Sequence, residues 1–251
     1  GHVSPTRAEH VMDDLGQENV WILQQQQHQQ GDDDVVVSNS IVCEVGVEST
    51  VAKLEANSLT VLRQGAIAVQ DLQDCLQKAG FGDEIKVTSL SRRTAEDTEA
   101  TVAPGQILKH YSPQIPSFLL APNLISSSNN SIQRDDGDEH FKELLQHAIV
   151  LDFGGRLKNC SSLALQYKDL SAKGDSAQGA QCVFESLRWA ETADARAQWI
   201  VFPQLVVEGD DSDTVDALTL ALQDRLTRAA SGVVLSDGES IQQHMASAKQ
   251  Q

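Results

Sequence analysis

A short segment at residues 103–113 carries three side chains that could contact a ligand, namely Lys109, His110 and Tyr111. A proline–glycine pair precedes these residues, and a second proline follows them. Because proline removes a backbone donor and restricts the residue before it, the segment is predicted to run as an exposed, irregular strap rather than as a helix. Such segments often carry binding residues, although an ordinary interdomain linker would show the same pattern.

Three further segments contain residue types suited to phosphate or carboxylate binding. Ser4 precedes Pro5, which predicts a helix start whose amides could bind an anion or simply be capped by the serine. Ser49 lies in a predicted strand at residues 47–54, where its hydroxyl could bind a ligand or face solvent. Arg63 ends a predicted strand before a glycine. Its planar guanidinium suits phosphate contacts, unless the side chain is merely exposed.

In this order, the segments resemble the YrdC-type threonylcarbamoyl-AMP synthase family, in its long form with a C-terminal accessory domain. The matching stretches are residues 1–11, 46–51 and 62–67 together with the strap. The family's Arg-Pro-Gly turn reads Arg-Gln-Gly here, because Gln64 replaces the proline. The family's phosphate-holding Lys-x-Arg pair and Ser-Ala-Asn element would come before the first residue. We therefore expect this chain to be the C-terminal portion of such a protein.

The resemblance implies a reaction in which L-threonine, bicarbonate and ATP give threonylcarbamoyl-AMP and pyrophosphate, with Mg²⁺ accompanying the nucleotide. The product would pass to the tRNA threonylcarbamoyl-transferase machinery, which forms N6-threonylcarbamoyladenosine at position 37 of certain tRNAs. No residue is given a covalent catalytic role. The residues that the resemblance assigns are Ser4, Arg63, Gln114, His110 and Tyr111 to ATP, and Ser49 to threonine. The alternative is a catalytically incomplete chain that acts as a ligand-binding or regulatory module.

Composition limits the possible partners. The chain has 36 acidic and 19 basic residues and a formal charge of −17, which disfavours strong direct binding to nucleic acid. No apolar run approaches the roughly 18 residues of a membrane span. The four cysteines show no metal-binding spacing and are predicted to be reduced and mostly buried, as in a cytoplasmic protein. Organelle targeting stays open, because Gly1 does not look like a natural start.

The order of predicted elements indicates an α/β fold. Residues 1–82 are interpreted as the C-terminal portion of a YrdC-like domain with a twisted open sheet, and residues 83–115 as an interdomain linker that includes the strap. Residues 116–251 are interpreted as a Rossmann-like accessory domain. There, apolar strand patterns alternate with amphipathic helix patterns, which predicts a parallel, doubly wound sheet. A polar, glutamine-rich insertion at residues 24–34 is predicted to be disordered.

Overall fold

The computed structural model describes residues 3–16, 45–89, 112–127, 136–207 and 215–248. We call residues 3–89 the first unit and residues 112–248 the second unit. The glutamine-rich insertion lies outside the described residues, as does the strap apart from its last two residues. None of the described helices is long and apolar enough to cross a bilayer.

The first unit is built on a three-stranded mixed sheet. Strands β1 (Val51–Glu55) and β2 (Ser58–Arg63) form an antiparallel hairpin, whose turn places Ala56 in the left-handed region at φ 36°. Helix α2 (Val69–Lys78) then leads to β3 (Lys86–Ser89), which pairs in parallel with β2. Residues 86–89 fall within the range predicted to be a linker. Their strand geometry comes from pairing with β2, a nonlocal contact that leaves little local signal.

Helix α1 (Ala8–Leu15) precedes the sheet and starts later than predicted. Its N-cap is Arg7, which makes no side-chain capping bond, so the expected helix start at Ser4 is wrong. The amide of Thr6 donates to Nδ1 of His10 at 3.2 Å, and the first backbone bond of the ladder runs from Val11 N to Arg7 O.

The second unit is built on a five-stranded sheet in which every neighbouring pair is parallel. The strand order is β6-β5-β7-β4-β8. The strands are β4 (Ser117–Leu120), β5 (Ala148–Asp152), β6 (Gln166–Asp169), β7 (Trp199–Pro203) and β8 (Val234–Leu235). The three central strands, β5, β7 and β4, are buried along their whole length. The predicted parallel sheet is confirmed.

Helices cover both faces of this sheet, as predicted for a doubly wound fold. The helices are α3 (Pro122–Ser127), α4 (Asp136–Gln146), α5 (Ser176–Thr192), α6 (Ala217–Ala229) and α7 (Gly238–Ala248). Residues of α4 and α7 pack with Phe118 and Leu120 on one face. Residues of α5 and α6 pack with Leu119 and Ile149 on the other. Because successive strand residues point to opposite faces, this alternation gives the sheet two hydrophobic cores.

The first unit shares the core that lies under α5 and α6. Val3 and Val47 are 1% and 7% exposed and belong to the same buried cluster as Leu187 and Leu226. Gly46 allows the closest approach, because a Cβ placed on it would lie 2.1 Å from Cα of Gln181 in α5. The two units are therefore joined by packed side chains and backbone, and the N-terminal segments rest on one helical face of the second unit.

The cysteines differ from the prediction in their exposure. Cys75 is exposed, Cys160 is buried and Cys182 is half-buried, and all three are free thiols. Cys43 lies outside the described residues. Cys75 lies on α2, which buries none of its residues. Periodicity had indicated an apolar face for α2, but it does not show whether another element covers that face.

Candidate functional site

The structure brings Ser49 and Arg63 into direct contact. Arg63 Nε donates to the backbone oxygen of Ser49 at 3.1 Å, and Nη2 donates to Ser49 Oγ at 3.3 Å. Arg63 is the last residue of β2, as predicted, whereas Ser49 lies two residues before β1 rather than within a strand. Segment 46–50 is therefore not part of the sheet. It leaves the hairpin because its residues contact the second unit.

Two neighbours hold the Ser49 and Arg63 segments together. A Cβ on Gly65 would lie 2.3 Å from the nitrogen of Thr50 and 2.6 Å from the carbonyl carbon of Ser49, so glycine is needed for this backbone approach. Thr50 Oγ1 donates to the oxygen of Ile67 at 3.0 Å and accepts from the nitrogen of Ile67 at 3.1 Å. The backbone approach at Gly65 and the two hydrogen bonds of Thr50 thus hold the Ser49 and Arg63 segments together.

Arg63 keeps its positive charge available at this point. No carboxylate among the described residues forms an ion pair with it, and its hydrogen bonds are those to Ser49. A guanidinium carries five N–H donors, so several remain for a ligand. An arginine in this state suits a phosphate or a carboxylate, which it can bind through two parallel hydrogen bonds. Arg63 is half-buried, and its assignment to ATP stays a prediction.

The remaining predicted site residues are not joined to this pair. Ser4 and Gln114 make no hydrogen bond to Ser49 or Arg63 within the described part of the chain. Ser4 is half-buried in the segment before α1, and its backbone oxygen accepts from Arg188 Nε at 3.4 Å. Gln114 is exposed on the second unit, where its backbone N–H donates to Glu191 Oε1 at 2.7 Å. Their assignment to ATP stays a prediction.

His110 and Tyr111 lie outside the described residues. The described chain resumes at Ser112, whose Oγ donates to the backbone oxygen of Ala229 at 3.0 Å. Pro113 is buried next to it. The end of the strap is therefore fastened to the C-terminal end of α6, and the roles of the histidine and the tyrosine stay predictions.

Sequence reasoning missed two arginines of the second unit that reach the first. Arg188 of α5 binds both carboxylate oxygens of Asp14 and the backbone oxygens of Val3 and Ser4. Arg225 of α6 binds Glu48. Each arginine lies among the apolar positions of an amphipathic helix. That placement was the available signal, because a charged residue on a buried face requires a partner.

A buried carboxylate also lies at the carboxyl ends of β5 and β6. Asp152 is fully buried and accepts from Tyr167 Oη at 2.7 Å and from the amides of Phe153 and Leu157 at 2.7 and 2.9 Å. Burial raises the pKa of Asp152, although these hydrogen bonds oppose the shift. Burial and the hydrogen bond to Asp152 raise the pKa of Tyr167. The group fixes the loop that follows β5 and makes no contact with the Ser49–Arg63 pair.

The described residues contain no group of three or more histidine, cysteine, aspartate or glutamate side chains that could hold a metal ion. The site therefore consists of one cation, one hydroxyl and a rigid backbone support. Such an arrangement can bind and orient an anionic ligand.

Comparisons with known proteins bear on the whole chain. A family profile described as "Threonylcarbamoyl-AMP synthase, C-terminal domain" matches residues 67–231, which is more than half of the sequence. The crystal structure of P. abyssi Sua5 complexed with L-threonine is 20% identical, with a TM-score of 0.57 over 94% of this chain and 56% of that one. No curated protein sequence matches.

A second solved structure is a P. abyssi Sua5 variant in which a histidine and the tyrosine after it are both replaced by alanine. It is 18% identical, with a TM-score of 0.55 over 94% of this chain and 55% of that one. The chain thus spans about half the length of these solved structures, and at such identities the likeness establishes the α/β fold. The family profile establishes more: the chain belongs to the family of the threonylcarbamoyl-AMP synthase C-terminal domain.

Proposed function

We propose that the protein carrying this chain is an L-threonylcarbamoyladenylate synthase, a nucleotidyltransferase of tRNA modification. The observation that carries the proposal is the contact between Ser49 and Arg63, a hydroxyl and a guanidinium 3.3 Å apart with no competing carboxylate in the described residues. The reaction must bring an amino acid next to a nucleotide phosphate. A hydroxyl assigned to threonine and a cation assigned to ATP, in direct contact, would do so.

The bonds made and broken in this reaction lie between the substrates rather than on the protein. The amine of L-threonine and bicarbonate condense to a carbamate with loss of water. A carbamate oxygen then attacks the α-phosphorus of ATP, the bond from that phosphorus to the bridging oxygen breaks, and pyrophosphate leaves. Mg²⁺ enters with ATP as part of the substrate. The protein has to position the two reactants and to stabilise the phosphate charge.

In this scheme Ser49 and Arg63 bind different reactants. The Ser49 hydroxyl hydrogen-bonds the polar groups of threonine, and the Arg63 guanidinium binds the nucleotide phosphates through its remaining N–H groups. Because Arg63 also donates to Ser49, movement of one residue displaces the other. The shared hydrogen bonds would thus fix the distance between the carbamate oxygen and the α-phosphorus.

Both comparisons support this proposal. The family profile carries the name of the synthase. The P. abyssi relative was crystallised with L-threonine, which supports an amino acid ligand for this fold. The second P. abyssi structure carries substitutions at an adjacent histidine and tyrosine, the residue types of the His110–Tyr111 pair in the strap, and we assign this pair to the nucleotide site by resemblance. The formal charge of −17 disfavours strong tRNA binding by this chain, which supports transfer of the product to a separate tRNA-binding partner. We place this enzyme in the cytoplasm as part of the same proposal.

The test is pyrophosphate release by the natural protein, with the nucleotide product identified by mass spectrometry. We expect release to require L-threonine, bicarbonate and ATP together and to fall strongly in Arg63→Ala. Arg196→Ala is the matched control, because the Arg196 side chain is 74% exposed and forms its ion pair with Asp194, two residues before it in the chain. Threonine-independent release would refute the synthase. Binding of ATP or threonine without turnover would favour a regulatory module.

A further inference from the structure

We propose that Arg225 is a positioning residue through which the accessory helix α6 fixes the geometry of the Ser49–Arg63 site. This inference rests on the proposed function for its catalytic consequence, but its structural part stands on contacts alone. Arg225 is fully buried. Its hydrogen bonds go to the residues beside Ser49 and Arg63 and not to these two residues themselves.

One guanidinium spans both site segments. Arg225 Nε donates to Glu48 Oε2 at 2.6 Å, and Nη2 donates to the backbone oxygen of Gln64 at 3.2 Å. Glu48 directly precedes Ser49, and Gln64 directly follows Arg63. The rigid fork of Arg225 therefore sets the separation of two segments that are distant in sequence, next to the two residues that would contact substrates.

The charges around Arg225 show that this contact is specific. Arg225 Nη1 also donates to Asp224, which in turn accepts from Arg228 Nε at 2.7 Å. The four groups alternate in sign from Glu48 through Arg225 and Asp224 to Arg228. Burying charged groups is costly unless each is paired with good geometry, and apolar residues would join α6 to the first unit at least as well. An apolar residue could not bind a carboxylate and a backbone carbonyl at once.

Arg188 makes a comparable link elsewhere and serves as the control. Its side chain is 11% exposed and binds Asp14, Ser4 and Val3, so it fastens the segment before α1 and not the Ser49–Arg63 segments. Removal of either arginine breaks an ion pair between the units, in which the arginine is the more buried partner. Only removal of Arg225 should loosen residues 46–50 and 63–67.

Hydrogen–deuterium exchange measured by mass spectrometry tests the structural part. In Arg225→Met we expect exchange in 46–50 and 63–67 to rise about tenfold, while β5 and β7 stay unchanged. Arg225→Lys keeps the charge opposite Glu48 but loses the fork. In Arg225→Lys the exchange rate of residues 46–50 should return to the wild-type value, while residues 63–67 should still exchange fast. Arg188→Met should leave both segments at the wild-type rate.

Kinetics on the natural protein test the catalytic part. At a temperature where each variant is folded, we expect Arg225→Met to lower kcat/KM for L-threonine about tenfold and Arg225→Lys to recover part of it. Unchanged exchange in both segments would overturn the proposal, as would uniform acceleration that includes β5 and β7 in both Arg225 variants. If the wild type lacks threonine-dependent turnover, the proposed function fails while the exchange result still decides the role of Arg225.

Discussion

Arg63 Nη2 donates to Ser49 Oγ at 3.3 Å, and Arg63 Nε donates to the carbonyl of the same serine at 3.1 Å. One side chain thus both orders the serine and presents a positive charge beside it. Replacement of Arg63 should affect two ligands rather than one, because the serine loses its orienting donor when the charge is removed.

Arg63→Ala should weaken ATP binding by roughly ten- to a hundredfold, since it removes a charge-assisted contact. Arg63→Lys should recover only part of the loss, because lysine keeps the charge without the planar fork. Titration calorimetry on the natural protein measures both affinities. Thermal melts serve as the control, and we expect them to change little, since Arg63 lies at a strand end outside the buried core. Unchanged ATP affinity in Arg63→Ala would rule out the assignment.

Gly65→Ala should destabilise the chain by about 1–3 kcal/mol, because the added methyl meets backbone that cannot move aside. The nearest atom is the nitrogen of Thr50, at 2.3 Å from the ideal Cβ. Gly82→Ala is the matched control, because its Cβ would meet first the flexible end of Gln77. Urea denaturation should show the loss for Gly65 and a change within about 0.5 kcal/mol for Gly82. Equal urea midpoints for the two variants would mean that the Thr50 segment shifts to accommodate the added methyl group.

The sequence predicted the second unit better than the first. Buried parallel strands such as β5 and β7 are continuous apolar runs, and helices such as α5 show a clear period, so both are local signals. Strand β8 has two residues and β6 is largely polar, and neither leaves such a signal. The late start of α1 was not predicted because it depends on tertiary structure. Arg188 donates hydrogen bonds to the backbone oxygens of Val3 and Ser4.

The roles of the candidate site residues stay predictions, and the structure adds only how these residues are arranged. The residue types and their order indicated Ser49 and Arg63, but no property of the sequence shows that these two residues touch. Their contact depends on Gly65 and on the second unit, which draws residues 46–50 out of the expected strand. The helical pattern indicates that Arg225 needs a partner but not which one, because Glu48 and Gln64 are more than 150 residues away. Long-range ion pairs of this kind follow from packing and not from periodicity.

Cys160 should resist alkylation while Cys75 reacts. Burial, assisted by the negative charge of Asp152, raises the pKa of Cys160 to about 11. At pH 8 about one such thiol in a thousand is ionised, and the thiolate is the nucleophile. Cys75 is exposed on α2. Iodoacetamide labelling followed by peptide mass spectrometry should therefore show Cys75 modified far faster than Cys160 in the native chain. Denatured protein is the control, in which both cysteines should react alike, and equal native rates would contradict the burial of Cys160.

His10 should make stability depend on pH below neutrality. Burial lowers the pKa of His10 from its usual 6.5, and the nearby positive charges of Arg188 and Arg7 lower it further. Between the folded pKa and 6.5 the unfolded chain binds more protons at this residue than the folded chain does. The free energy of unfolding should therefore rise with pH across this window, and the contribution of His10 should be complete above it.

The measurement for His10 is a series of urea unfolding curves from pH 5 to pH 8, compared with His10→Asn. The asparagine oxygen can still accept from the amide of Thr6, the bond that Nδ1 makes at 3.2 Å, but the side chain does not titrate. We expect the wild type to lose stability relative to the variant as the pH falls below about 6.5, because protonated His10 gives up this acceptor and faces Arg188. A difference in unfolding free energy between the two proteins that stays constant with pH would show that protonation of His10 is not coupled to folding.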